Sequence, residues 1–199
     1  MPIHITKRDG TKEPFNADKI NLSIERATTG LFDPISKVIQ VATETHLTLF
    51  DGITTQEIDE ATINAAVQNI KEDPDYDKVA TRLLSKTLYK AAMGDYNEDD
   101  PEDLKIKHRA YFPAYIKRGV ATKRLDTRLA EKFDLEELAR AIDLDRDELL
   151  RYTGLSTLSS LYLLRDETRT ARNKHIETTQ AYFMRVAMGL SLNEEHPTL

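Results

Sequence analysis

Strand signals in this chain are confined to the first sixteen residues, and the later periodic segments have the spacing of helices. The two strand segments are IHIT and KEPF, joined by RDGT, whose Asp-Gly pair favours a tight hairpin turn. Pro14 fits an edge strand, because proline cannot donate a ladder hydrogen bond. The chain is therefore predicted to be mainly α (α+β), with a small N-terminal β-hairpin followed by helices.

Capping signals divide the rest of the first half into four helices. Asn16 is the predicted N-cap of the first helix, and Asp33, before a proline, opens the second. Thr54 and Glu57 have capping-box spacing at the start of the third helix, where Thr55 is a competing cap. The second helix is predicted to pack through Ile35, Val38, Ile39 and Ala42.

An acidic segment, GDYNEDDPED, separates this four-helix region from the second half. Its charges, Asn and Pro are typical of a linker, so we expect a boundary near residue 100 and domains at 1–97 and 98–199. The second half is predicted to be helical, with an interruption near Pro113 and a final helix that begins with polar residues.

Composition excludes several classes of chemistry. The chain has no cysteine, which removes thiol nucleophiles, disulfides and Cys-based zinc sites. Its five histidines lack ligand spacing, so no metal site is predicted. A net charge of −6 argues against a nucleic-acid surface. No long apolar run indicates a membrane span or signal peptide, which predicts a cytoplasmic protein.

Five polar residues from distant segments could still converge on one small anion. A triphosphate needs cations, backbone amides and helix N-termini that point at it. Each candidate alone is most simply a solvated charge or a helix cap. The candidates are Lys7 and Arg8 in the hairpin, Lys19 in the first turn of helix one, Thr55 at the start of helix three, and Lys90 near the end of helix four.

Four segments in order, TKRDG, EPFNADKI, FDGITTQEID and LYKAAMGDY, resemble the ATP-cone, a regulatory domain that binds ATP or dATP. The resemblance implies a four-helix bundle behind the hairpin, and Mg²⁺ is expected with the nucleotide. It implies that Lys7, Arg8, Lys19, Thr55 and Lys90 line the phosphates. Glu13 and Asn16 would lie nearer the base and sugar, with Ile5, Phe15, Ile20 and Ile58 as apolar walls.

The second half resembles the start of the catalytic domain of the ribonucleotide reductase large subunit, through RDELLRYTGLSTL, GLSTLSSLYLL and ETTQAYFMRVAMGLSLNE. That family reduces ribonucleotides with a cysteine thiyl radical, and its cysteines come after these motifs. The chain is therefore expected to be an allosteric portion of a ribonucleoside-diphosphate reductase without catalytic residues of its own. A split gene, an intein or frameshift, or a truncated sequence would each explain its end at Leu199.

The same resemblance implies partners. A separate catalytic reductase chain and a radical-generating small subunit are expected, in an oligomer that ATP activates and dATP inhibits. A segment that packs on a catalytic barrel should expose apolar side chains when alone. The candidates for that surface are Phe183, Met184, Val186, Met188 and Leu190.

Two rival classes fail on missing motifs. A cone-bearing transcriptional repressor would need a CxxC pair for its zinc ribbon, and a nucleotide kinase would need a GxxxxGK[ST] loop. A helical protein-interaction module that does not depend on nucleotide remains open as the alternative.

Overall fold

The computed structural model describes residues 3–7, 10–166 and 174–194, and these residues are helical apart from one hairpin, single bridges, turns and loops. The predicted fold class is thereby confirmed. In chain order the elements are β1 (His4–Thr6), β2 (Lys12–Pro14), α1 (Ala17–Thr28), α2 (Pro34–His46), α3 (Thr55–Gln68), α4 (Asp75–Met93), α5 (Pro101–Ala121), α6 (Arg128–Glu131), α7 (Leu135–Ala141), a 3-10 helix (Leu144–Leu149), α8 (Tyr152–Leu161) and α9 (Thr179–Leu190).

The described residues form two compact units. The predicted domains 1–97 and 98–199 stay a prediction, because compact units are not by themselves independently folding domains. The first unit comprises residues 3–7, 10–87 and 150–156, and the second comprises 88–149, 157–166 and 174–194.

The hairpin pairs β1 and β2 antiparallel, with Ile5 opposite Glu13. Its turn is closed by the amide of Lys7, which donates to the carbonyl of Thr11 at 2.8 Å. Gly10 has a φ of +84°, a left-handed conformation that glycine adopts without steric cost. Ile5 and Glu13 share one face of the ribbon, and Lys7, two residues after Ile5, continues that face.

The predicted helix starts are confirmed by their capping bonds. The Asn16 side chain accepts from the amide of Asp18 at 2.8 Å. The Asp33 side chain caps α2 by accepting from the amide of Ser36. At α3 the cap is Thr54, which forms a reciprocal capping box with Glu57, and Thr55 is the first helical residue. Two orphan amides at the start of α3 are thereby satisfied.

The predicted packing face of α2 is partly wrong. Ile35 and Ile39 are exposed, whereas Val41 and Ala42 are in the core. Lys37 also lies on the buried side, with only 3% of its surface exposed. Hydrophobic periodicity did not find this face because a charged residue occupies part of it, held there by ion pairs described below.

In the second unit, α5 runs through Pro113 without the predicted interruption. A proline in a helix removes one hydrogen bond, but burial of its flanking residues can hold the helix together. Pro113, Phe112, Tyr115 and Ile116 are all buried. Gly154 lies inside α8.

The polar residues that lead into α9 are buried rather than exposed. Glu177 and Thr178 have 0% exposure, and Gln180 has 9%. Glu177 accepts hydrogen bonds from the Arg185 Nε at 2.6 Å and the Leu164 amide at 2.9 Å. It also accepts from the Tyr115 hydroxyl, which raises the pKa of Tyr115 after the larger effect of burial. Directional bonds therefore fix where α9 begins.

Candidate anion-binding site

Strand β1 lies against the loop that leads into α3. The Thr6 amide donates to the Ile53 carbonyl at 2.9 Å, and the Gly52 amide donates to the His4 carbonyl at 2.8 Å. Thr6 and Thr54 form a parallel bridge. Lys7 follows Thr6 and Thr55 follows Thr54. The parallel bridge therefore makes the candidate cation Lys7 and the N-terminus of α3 neighbours along the backbone. A helix N-terminus favours an anion through its unpaired amides and dipole.

Two of the predicted cations meet at one carboxylate. The Lys7 Nζ lies 2.6 Å from one oxygen of Glu13, and the Lys19 Nζ lies 3.0 Å from the other. Hydrogen bonds from Lys7 first, and then from Lys19, hold the pKa of Glu13 below its usual value. The structure thus brings Lys7, Glu13 and Lys19 together. Arg8 lies outside the described residues.

The predicted apolar walls belong to the core of the first unit. Ile5, Ile20 and Ile58 are 6–7% exposed and share one cluster, with Phe15 packed against it. Phe15 also meets the ring of His46 edge-on, at 5.9 Å between centroids. Core packing alone accounts for these side chains, so contact with a base stays a prediction.

The remaining candidates have separate structural duties. Asn16 is exposed and uses its side-chain oxygen to cap α1. Thr55 is half-buried, and the cap of α3 is its neighbour Thr54. Lys90 belongs to the second unit, where its Nζ lies 2.6 Å from a carboxylate oxygen of Glu98. Its role as a phosphate ligand rests on the sequence alone.

Sequence reasoning missed the partnership between Glu13 and the two lysines, although a signal for it existed. The Asp-Gly turn sets a register in which Lys7 stands opposite Thr11, which places Glu13 diagonally across on the same face. Long side chains can interact across such a diagonal. Sequence reasoning also missed Glu98, because its pairing with Lys90 depends on how the loop after α4 folds.

A cavity of about 310 Å³ is lined by residues of α2 and α3 and by Thr48. Its lining includes the carboxylates of Glu44, Glu57 and Glu60. Negative side chains repel phosphate, so this cavity does not suit a triphosphate. None of the predicted nucleotide ligands lines it.

In residues 3–7, 10–166 and 174–194, no group of three or more His, Cys, Asp or Glu side chains is placed to hold a metal ion. Within that same part of the chain, no helix has both the length and the apolar character needed to cross a membrane.

Comparison with known proteins identifies the domain family to which the hairpin and the first four helices belong. The ATP cone domain family matches residues 3–91, which include the hairpin, the first three helices and most of the fourth. The first unit and the start of the second thus contain an ATP-cone domain, as the sequence motifs predicted.

The whole chain is homologous to the N-terminal region of the alpha subunit of ribonucleoside-diphosphate reductase. The Chlamydia trachomatis subunit is 34% identical over 98% of this chain. The Helicobacter pylori subunit is 33% identical and the Escherichia coli subunit 30% identical, each over 98% of this chain. The chain spans 18%, 23% and 24% of the length of these three relatives.

Proposed function

We propose that the chain is an allosteric portion of a ribonucleoside-diphosphate reductase large subunit, and that its cone binds ATP or dATP. Lys7, Arg8, Lys19, Thr55 and Lys90 would contact the phosphates, with Mg²⁺ bound alongside. One observation carries the proposal: within a domain of the cone family, the ammonium groups of Lys7 and Lys19 meet at Glu13, and strand β1 forms a bridge with Thr54, the N-cap of α3. That arrangement offers cations and helix amides to one anion.

In this proposal the nucleotide is a signal rather than a substrate. These 199 residues contain no cysteine. The proposal assigns ribonucleotide reduction to a separate catalytic chain, served by a radical-generating small subunit in the cytoplasm. A bound nucleotide could shift such an assembly only by binding one of its arrangements more tightly than another. Residues 1–97 would form the regulatory domain, and residues 98–199 the helical segment that meets the catalytic chain.

Thermal melting with and without nucleotide tests the binding. A ligand at one hundred times its dissociation constant stabilises the folded state by about 2.7 kcal/mol. We expect ATP or dATP to raise the melting temperature, and the double variant Lys7→Ala, Lys90→Ala to abolish the rise. Lys71→Ala is the matched control, because Lys71 is 79% exposed and pairs with its neighbour Glu72. The absence of a shift with either nucleotide would contradict the proposal.

Sedimentation velocity tests the partnership. This chain and the catalytic chain of the same organism would be mixed at micromolar concentration, without nucleotide and with each nucleotide. A faster species whose amount depends on ATP or dATP is the expected result. Two independent species under every condition would refute the partnership and leave nucleotide binding standing.

A helical interaction module that needs no nucleotide is the second candidate function. The exposed apolar side chains of α9, Phe183 at 44% and Leu190 at 79%, favour it. Of the other expected docking residues, Met184 and Val186 are half-buried and Met188 is in the core. The melting experiment separates the candidates, since the module predicts no response to ATP or dATP.

A further inference from the structure

A single carboxylate, that of Glu13, is bound by two of the lysines proposed to contact the phosphates. Each oxygen of Glu13 takes one ammonium group, at 2.6 Å from Lys7 and 3.0 Å from Lys19. The Glu13 side chain is 25% exposed, and the lysines are 43% and 64% exposed. A glutamate is ionised at neutral pH, and the two lysines lower the pKa of Glu13 further, so the group facing the two cations is itself an anion.

The local fold builds this arrangement. The hairpin register puts Glu13 on the same face as Lys7, and β2 leads through Asn16 directly into α1. Lys19 lies in the first turn of α1, close enough to reach back to the strand that precedes it. The position of Glu13 between the lysines therefore follows from the hairpin and the helix cap together.

The carboxylate pairs with the two ammonium groups that a phosphate would have to use. Charge-assisted hydrogen bonds from ammonium to carboxylate and from ammonium to phosphate have the same length, near 2.8 Å. A phosphate that contacts both lysines must displace Glu13 or bind beside its negative charge. In either case Glu13 opposes the ligand, by occupying the donors or by repulsion.

We propose that Glu13 is an internal counterion that competes with the ligand's phosphates for Lys7 and Lys19 and so sets the affinity of the site. This inference rests on the function proposed above. It assigns Glu13 to the phosphate side, whereas the family resemblance implies a place nearer the base and sugar. Because the ion pairs are partly exposed, each is weak, and a polyanion such as a triphosphate displaces them.

Titration calorimetry of the full chain tests the competition. The probes are ATP, dATP and inorganic tripolyphosphate, which has the phosphates but no base or sugar. The variant Glu13→Gln removes the charge and nearly preserves the shape. The control Glu25→Gln makes the same charge change at an exposed position of α1.

We expect Glu13→Gln to bind tripolyphosphate and ATP roughly threefold to tenfold more tightly than the wild type, the effect of losing two partly exposed ion pairs. Glu25→Gln should stay within about twofold, since its charge is farther from the ligand. The advantage of Glu13→Gln should shrink in concentrated salt. If Glu13→Gln does not fold, Glu13→Asp takes its place, because its shorter carboxylate also loosens both pairs.

Other outcomes separate this inference from the proposed function. Weaker ATP binding with unchanged tripolyphosphate binding would place Glu13 at the base or sugar and overturn the inference alone. Unchanged affinity for both probes would also overturn it. If neither the wild type nor Glu13→Gln binds ATP or dATP, the proposed function fails and the inference fails with it.

Discussion

Lys37 is a buried cation in the first unit. Its Nζ lies 2.6 Å from a carboxylate oxygen of Asp73 and donates to the carbonyl of Phe32 at 2.6 Å. Burial disfavours the charged form of Lys37, but the pairs with Asp73 and Asp75 outweigh it and raise its pKa. The same ion pair lowers the pKa of Asp73. These shifts make the stability of the first unit depend on pH.

The variant Asp73→Asn tests that dependence, because Asn keeps the oxygen that accepts from the Asp75 amide. A carboxyl group whose pKa is lowered by folding stabilises the folded protein at pH values above its unfolded pKa of about 3.9. This stabilisation is lost as the pH falls through the folded pKa. A raised lysine pKa stabilises below about 10.4 and is lost as pH rises. The urea midpoint of the wild type should therefore exceed that of the variant by the largest amount between about pH 5 and 9.

A scan of urea midpoints from acid to alkaline pH measures this difference. Asp95→Asn, at an exposed position in the loop after α4, is the matched control and should change the midpoint little at any pH. A difference for Asp73→Asn that does not shrink as the pH falls through the folded pKa of Asp73 would show that the ion pair is not its source.

Glu177 is a second buried residue with a measurable role. Its carboxylate accepts hydrogen bonds from Arg185, from the Tyr115 hydroxyl and from the Leu164 amide. Glu177→Gln should destabilise the protein by about 3 kcal/mol, because it leaves the Arg185 charge without its partner. Arg185→Met provides the other edge of a double-mutant cycle, and we expect a coupling above about 1 kcal/mol. Additive effects in urea unfolding would rule out the ion pair as the cause.

At the scale of elements, the start of α3 is expected to separate an effect on stability from an effect on binding. Thr54 caps the helix, whereas Thr55 begins it. Thr54→Ala should cost about 1 kcal/mol of unfolding free energy. Thr55→Ala should change stability by less than about 0.5 kcal/mol but weaken ATP binding. Urea unfolding and calorimetry on both variants measure the two effects, and equal losses of affinity would contradict the assignment.

Local rules predicted the ends of elements better than their faces. The caps Asn16, Asp33 and Thr54 were predictable, because a cap is decided by a few adjacent residues. The buried side of α2 was not, since Lys37 is held in the core largely by its ion pair with Asp73, 36 residues later in the chain. The buried polar start of α9 was missed for the same reason, because its partners lie on distant elements.

In the candidate site, too, the features decided by residues close in sequence were predictable and the others were not. The convergence of Lys7 and Lys19 was predictable from the hairpin and the first helix, which adjoin in sequence. The carboxylate between them was expected near a base and not between lysines, because sequence motifs do not give side-chain directions. For Lys90 and Thr55 the sequence provides roles that only binding measurements can test.

At the scale of the whole molecule, two electrostatic effects oppose each other. The net charge of −6 repels a polyanion at long range, while nearby lysines attract it. The Debye length is about 8 Å at physiological salt, so contacts near 3 Å outweigh distant charges. Raising NaCl from about 50 to about 300 mM should weaken ATP binding roughly threefold to tenfold.

Calorimetry at fixed Mg²⁺ measures this salt dependence. Lys19→Ala should show a smaller dependence than the wild type, because it has one cation fewer near the phosphates. Tighter binding in salt would mean that the overall negative charge, rather than the lysines, controls the encounter.

The short hairpin has a consequence for how the first unit orders. A ribbon with three residues in each strand is not stable alone, so β1 depends on the loop before α3 for its amide partners. The protection of the Thr6 amide against deuterium exchange therefore reports the integrity of a loop almost fifty positions away. A ligand that slows exchange at Thr6 would slow it at Gly52 as well, so that two distant amides would share one opening free energy.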